Sequence, residues 1–145
     1  MQVRELMTEN PVCCARNETI QHVAALMVEH DCGEIPVVDE LDRPIGVVTD
    51  RDICCRAVAR GRAVHTLARE VMTEPAVTAR PDEDVEDCLH LMKQYQIRRV
   101  PVVDQEGVCC GIVAQADIAR HAGNAAISDV VAQVSSPAGN PSQVR

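Results

Sequence analysis

IPVVDELDRPIGVVTDRDI, residues 35–53, reads as two short β-branched runs around a polar turn, followed by the start of a helix. The stretch returns as VPVVDQEGVCCGIVAQADI at residues 100–118, an offset of 65. Working outward, RELMTENPV at 4–12 returns as REVMTEPAV at 69–77, at the same offset. Ungapped comparison of 4–53 with 69–118 gives 17 identities in 50 pairs, against roughly three by chance at ordinary residue usage. The chain is therefore an internal duplication, and each copy is a single supersecondary unit.

Between the M-T segment and the hairpin, each copy carries a helix. Ile20, Val23, Ala24 and Met27 recur at i, i+3, i+4 and i+7, and Val85, Cys88, Leu89 and Met92 repeat the pattern. Asn17 and Asp82 are the expected N-caps, with Glu18, Glu83 and Asp84 in the first turns, where the helix dipole favours acids. The turns at Asp39–Arg43 and Asp104–Gly107 suit hairpins. Pro36 and Pro101 point to an edge strand or a strand start. A second helix begins near Asp50 and Gln115. Each copy reads as strand, helix, strand, strand, helix, preceded by a short helix near Val3–Met7 or Leu67–Met72. The boundaries expected are 1–62 and 63–124 for the copies, 125–136 for a last helix and 137–145 for a disordered tail. That tail holds turn-formers without apolar periodicity.

Composition narrows the function. Of 145 residues one is Tyr and none is Phe or Trp, so the cores are aliphatic and Cys-rich. A net charge of −8 and a pI near 5.0 give no overall field for nucleic acid or an anionic membrane. No apolar run approaches the roughly 18 residues of a membrane span. MQVRELMTEN lacks the apolar core of a signal peptide, so a cytoplasmic location is expected. Six of eight cysteines form doublets, Cys13-Cys14, Cys54-Cys55 and Cys109-Cys110, with no C-x-x-C pair. They read as reduced thiols packed as small hydrophobes, and no metal site is expected.

The order M-T, helix, (I/V)-P-V-V-D, then G-h-h-x-x-x-D-h, duplicated, resembles a tandem pair of CBS domains (a Bateman module) over residues 4–122. It is similar to small stand-alone bacterial CBS-pair proteins of the hypoxic response type. The resemblance implies an α/β (α+β) fold of two β-α-β-β-α repeats, packed sheet to sheet about a pseudo-two-fold axis. It further implies a disc-like homodimer and clefts that bind AMP, ADP, ATP or NAD, with S-adenosylmethionine ranked behind them. The function implied is energy or redox sensing for an unknown effector protein, without catalysis and without a required cofactor.

The ligand motif falls on Gly46-Val-Val-Thr49-Asp-Arg-Asp52. At a strand-to-helix junction, free backbone N–H groups and the helix dipole favour a phosphate. Thr49 and Asp52 are one turn apart, and a carboxylate suits the two hydroxyls of a ribose. Gly46 permits close backbone approach. Val12, Ile35 and Pro36 are candidate walls for a purine. The second copy has Asp117, Val77, Val100 and Pro101 in the same places, but Ala114 replaces the threonine. One hydrogen bond worth roughly 0.5–1.5 kcal/mol is lost there. Arg51 is a candidate phosphate ligand, and the resemblance adds Arg98 and Arg99, reaching toward the Thr49–Asp52 site. One good site and one weak site are expected. His22, His30, His65, His90 and His121 show no metal spacing, and no P-loop or G-x-G-x-x-G occurs, so catalysis is not expected. The alternatives are a ligand-free dimerisation module and a cysteine-based redox or metal-responsive protein.

Overall fold

Helix formation in both copies follows from the apolar spacing. Ile20, Val23 and Met27 are buried on a helix spanning Ile20–His30, while Val28, off that stripe, is 83% exposed. Val85, Cys88, Leu89 and Met92 are buried on its counterpart, Val85–Tyr95. Each such side chain contributes roughly 1.5–3 kcal/mol relative to exposure. The N-caps are Thr19 and Asp84, two residues later than expected. The cap must be the last extended residue before the first helical one, and the Thr19 hydroxyl there accepts from the His22 N–H at 3.1 Å. Asn17 instead accepts a hydrogen bond from Arg69. Glu18 precedes the first helix, which has no acid in its first turn; Glu86 and Asp87 fill that place in the second.

The computed structural model describes residues 1–121 and Ala132; the helix expected over 125–136 and the tail 137–145 otherwise lie outside them. After a 3-10 turn at Val3–Glu5 come β1 (Thr8–Glu9), β2 (Cys14–Ala15), α1 (Ile20–His30), β3 (Glu34–Val38) and β4 (Pro44–Thr49). Then α2 (Asp50–Asp52) runs into a π-helical turn at Ile53–Ala57 and a 3-10 turn at Val58–Arg60. The remainder is α3 (Ala68–Val71), α4 (Val85–Tyr95), β5 (Arg99–Val103), β6 (Cys109–Ala114) and α5 (Gln115–Ala119). The mixed α/β class expected from the repeat is what the chain forms.

Two compact units result, and neither is one sequence repeat. One unit is Val12–Ala76; the other joins Met1–Pro11 to the described residues from Val77 on. The M-T segment that opens each repeat is thus built into the unit of the other repeat. In the Val12–Ala76 unit the sheet order is β2-β3-β4, with β2 parallel and β4 antiparallel to β3. Thr73 adds a single antiparallel bridge to Val47 on β4. In the other unit the order is β1-β6-β5: Thr8 and Glu9 form a full strand on β6, and Ala79 makes a single parallel bridge to Val102. Thr8 and Thr73 are equivalent under the 65-residue offset, as are Cys14 and Ala79.

Pro36 and Pro101 sit inside β3 and β5, not at strand starts, and β3 is the middle strand of its sheet. Pro36 faces Val47, whose N–H and C=O both turn away to Thr73 at 3.0 and 2.8 Å. An antiparallel pair of that kind exchanges no hydrogen bonds, so the missing proline N–H removes nothing from the β3–β4 ladder. The hairpin turns form where expected. The Asp39 carboxylate accepts from the N–H groups of Leu41 and Arg43, and Asp104 accepts from those of Glu106 and Val108. These bonds hold the Asp39 carboxyl below its ordinary pKa, Arg43 N–H first among them. The equivalent left-handed positions in the two turns are Asp42, φ 60, and Gly107, φ 81.

Each unit has its own core. One gathers Cys14, Ile20, Val23, Ile35, Val37, Val48 and Val71. The other gathers Val3, Leu6, Cys88, Met92, Val100, Val102, Val113 and Ile118.

Candidate functional site

The β4–α2 junction is built by a reciprocal cap. The Thr49 hydroxyl accepts from the Asp52 N–H at 3.0 Å, and Asp52 Oδ2 accepts from the Thr49 N–H at 3.0 Å. This cap turns the Asp52 carboxylate back over the end of β4, and the side chain has no exposed surface. Thr73 Oγ1 donates to the same carboxylate, 3.3 Å from each oxygen. Arg56 Nε lies 3.7 Å from Asp52 Oδ1, while its Nη1 donates to the carbonyls of Met72 at 3.0 Å and Val71 at 3.4 Å. A buried carboxylate is costly unless hydrogen-bonded and paired, and here both conditions are met.

Two readings of the motif change at this point. The first N–H groups of the helix are not free: Asp50 N–H donates to Gly33 O, Arg51 N–H to the Asp50 carboxylate, and Asp52 N–H to Thr49. With these donors consumed inside the protein, a phosphate here depends on side chains rather than on the helix end. Gly46, for its part, makes room for protein backbone. A Cβ there would stand 2.8 Å from Thr73 O and 3.0 Å from Met72 Sδ. Gly111 plays the same part in the other unit, with Met7 Sδ at 2.6 Å and Thr8 O at 3.1 Å. The glycines of both motifs accommodate the M-T segments.

Of the other candidates, Val12, Ile35, Pro36 and Arg51 share the Val12–Ala76 unit with Thr49 and Asp52. Ile35 and Pro36 are buried, Val12 is half-buried and Arg51 is exposed. Val77, Arg98, Arg99, Val100, Pro101 and Asp117 belong to the other unit. There Val100 and Pro101 are buried, Val77 and Arg99 half-buried, and Arg98 exposed. Asp117 accepts from the Ala114 N–H at 2.9 Å, so half of the reciprocal cap survives without a hydroxyl at 114. Its Oδ1 pairs with Arg120 Nη2 at 2.6 Å, and the side chain is 17% exposed. The two aspartates thus differ: Asp52 is buried under Thr73 and Arg56, and Asp117 is partly open and holds an exposed arginine.

Sequence reasoning missed Thr73 and Arg56. The signal for Thr73 was present, since M-T stands unchanged in both copies. Arg56 carried none, because its equivalent is His121, whose Nδ1 meets the Asp117 carbonyl at 3.1 Å.

The cysteines divide by burial. Cys14 and Cys88 are core residues, and desolvation pushes each thiol up to about 12. Cys54 and Cys55 are exposed on the π-helical turn. Among the described residues no group of three or more His, Cys, Asp or Glu is placed to hold a metal ion. None of the described helices is long and apolar enough to cross a membrane.

Comparison with known proteins extends these observations. The CBS domain family model matches residues 3–57 and 68–124. The CBS domain-containing protein YhcV of Bacillus subtilis is 44% identical over 117 residues, 81% of this chain and 82% of its own. Hypoxic response protein 1 of Mycobacterium tuberculosis is 35% identical over 135 residues, 92% of this chain and 94% of its own. A crystal structure of Hypoxic Response Protein I with two coordinated zinc ions superimposes with a TM-score of 0.78, covering 85% of this chain and 100% of that one at 34% identity. The CBS domain pair of MJ0100, in complex with 5-methylthioadenosine and S-adenosyl-L-methionine, also gives 0.78, over 85% and 100% at 32% identity. CBSX2 in complex with AMP gives 0.73, over 83% and 95% at 25% identity.

Proposed function

Because this chain belongs to the CBS-domain family, as two CBS domains in tandem, we propose that it is a non-catalytic regulatory module that binds an adenine nucleotide. The observation that carries the reading is the Asp52 carboxylate, fixed by the Thr49 cap at the β4–α2 junction with both oxygens on one edge. That edge matches a ribose diol, which offers two donors at carboxylate spacing. Arg51, exposed one residue earlier, supplies a fork for phosphate. The adenosyl ligands of the MJ0100 pair and the AMP of CBSX2 support an adenosine compound as the class. AMP, ADP, ATP and NAD are the candidates, with S-adenosylmethionine behind them. The module acts in the cytoplasm as a homodimer, and its occupancy is read by an effector protein.

The test is isothermal titration calorimetry of the reduced, nucleotide-free protein with AMP, ATP, NAD and S-adenosylmethionine. Asp52→Asn keeps an acceptor for the Thr49 N–H but loses the two-oxygen edge. Micromolar binding that Asp52→Asn abolishes supports the proposal, with circular dichroism showing the variant folded. Absence of heat with all four ligands sinks it and leaves a ligand-free dimerisation module or a cysteine-based redox or metal-responsive protein.

A further inference from the structure

Asp52 is already occupied, and the identity of its occupant carries an inference. Thr73 Oγ1 lies 3.3 Å from both carboxylate oxygens. A single hydroxyl proton is therefore shared between two acceptors. Both contacts are long against the 2.7–2.8 Å usual for O–H···O. This is the edge that a vicinal diol would take with two separate, shorter bonds. The hydroxyl is also the weakest of Thr73's own attachments, beside backbone bonds of 3.0 and 2.8 Å to Val47. Beyond the hydroxyl, the segment 71–73 is held to this unit by the fully buried Val71, by the Val47–Thr73 bridge and by Arg56, which grips the carbonyls of Val71 and Met72 beside the same carboxylate. Asp52, Arg56 and Thr73 form one connected set: what happens at the carboxylate is felt at residues 71–73.

We propose that the Thr73 hydroxyl is an internal stand-in for the ligand's ribose diol, so that nucleotide binding displaces it and loosens the Met72–Thr73 segment from β4. The inference rests on the nucleotide reading above and adds a mechanism of response. Occupancy of Asp52 is converted into release of the segment that leads out of the Val12–Ala76 unit. The other unit lacks this arrangement. There Asp117 Oδ1 is taken by Arg120 at 2.6 Å, a charged and shorter contact. Among the described residues, only the Asp52 site is poised to exchange a hydroxyl of its own for a hydroxyl of the ligand.

Thr73→Val removes the hydroxyl while keeping the side-chain shape and the backbone bonds to Val47. Calorimetry with AMP on wild type and Thr73→Val should show the variant binding about threefold to tenfold tighter, since one competing hydrogen bond is gone. The gain should shrink with 2′-deoxy-AMP, which presents a single hydroxyl. Hydrogen exchange gives a second readout. Saturating AMP should speed exchange of the Thr73 and Val47 amides in wild type. In the variant those amides should exchange faster without ligand, and AMP should add little. AMP binding only to the variant would also support the proposal, with wild type held closed by Thr73. Equal affinities together with unchanged amide exchange would overturn it while leaving the nucleotide reading intact. Absence of binding to both proteins with AMP, ATP, NAD and S-adenosylmethionine alike would overturn both.

Discussion

Gly46→Ala isolates the docking of the Met72–Thr73 segment on β4. The new methyl would stand 2.8 Å from the Thr73 carbonyl oxygen, a distance that real Cβ atoms essentially never show. The obstacle is main chain, so the segment itself must move. Moving it strains Val47 N–H to Thr73 O at 3.0 Å and Thr73 N–H to Val47 O at 2.8 Å. Two net hydrogen bonds at roughly 0.5–1.5 kcal/mol each give a loss of about 1–3 kcal/mol. The overpacking range for one added carbon, about 1–3 kcal/mol, agrees. Gly111→Ala is the internal control. Its nearest atom is the mobile Met7 Sδ at 2.6 Å, and its backbone neighbour, Thr8 O, is farther off at 3.1 Å. A thioether can swing aside, so the cost there should stay below about 1 kcal/mol. Urea unfolding of the reduced proteins, followed by circular dichroism, measures both. Gly46→Ala within 0.5 kcal/mol of wild type, or Gly111→Ala as the costlier change, would refute the assignment of these glycines to backbone approach.

Three further expectations follow from the same geometry. Ala114→Thr restores the missing hydroxyl at the start of α5, where Asp117 already accepts from residue 114, and should raise stability by about 0.5–1.5 kcal/mol in urea titrations. Thiol titration of the folded protein should find Cys54 and Cys55 reactive and Cys14 and Cys88 silent until denaturant is added. The two buried thiols also set an alkaline limit. Each ionises near 9.0 when unfolded and at about 12 when folded, so their contribution is full below pH 9 and fades toward pH 12. The urea midpoint should fall across that window, and less steeply in Cys14→Ala, once compared with its own value at pH 7.

Much of this was legible in residues 35–53 and their echo at 100–118. Periodicity identified the helix faces because Ile20, Val23 and Met27 face the core for the same reason that they recur at helical spacing. The hairpin turns were legible because Asp39 and Asp104 bond their own following N–H groups. The caps were placed two residues early, since the segments before both helices hold several polar residues able to cap and spacing does not rank them. Sequence does not show which residue faces Pro36, and only the pairing with Val47 reveals that a proline in the middle strand costs the β3–β4 ladder nothing. The partition into units was hidden for a deeper reason. The two M-T segments are so alike that nothing in either says which copy of the hairpin it will join. Thr73 escaped notice at the site on the same account: at 21 residues from Asp52, only the fold brings them together.

The pairing of Thr8 with Ile112 also bears on the order of events during synthesis. Residues 12–76 form a contiguous stretch and have all their unit's partners once Ala76 has left the ribosome. Residues 1–11 emerge earlier, yet their strand has no edge to join until Cys109–Ala114 has been translated. The nascent chain must therefore carry an unhoused apolar leader, Val3 and Leu6 included, past a unit already able to close. Earlier, between the emergence of Pro44–Thr49 and that of Thr73, the edge of β4 stands open to the wrong M-T segment, and Thr73 must win the place when it arrives. A stall that holds the chain after β4 has emerged and before Thr73 has would lengthen that contest and shift the outcome toward mispaired chains.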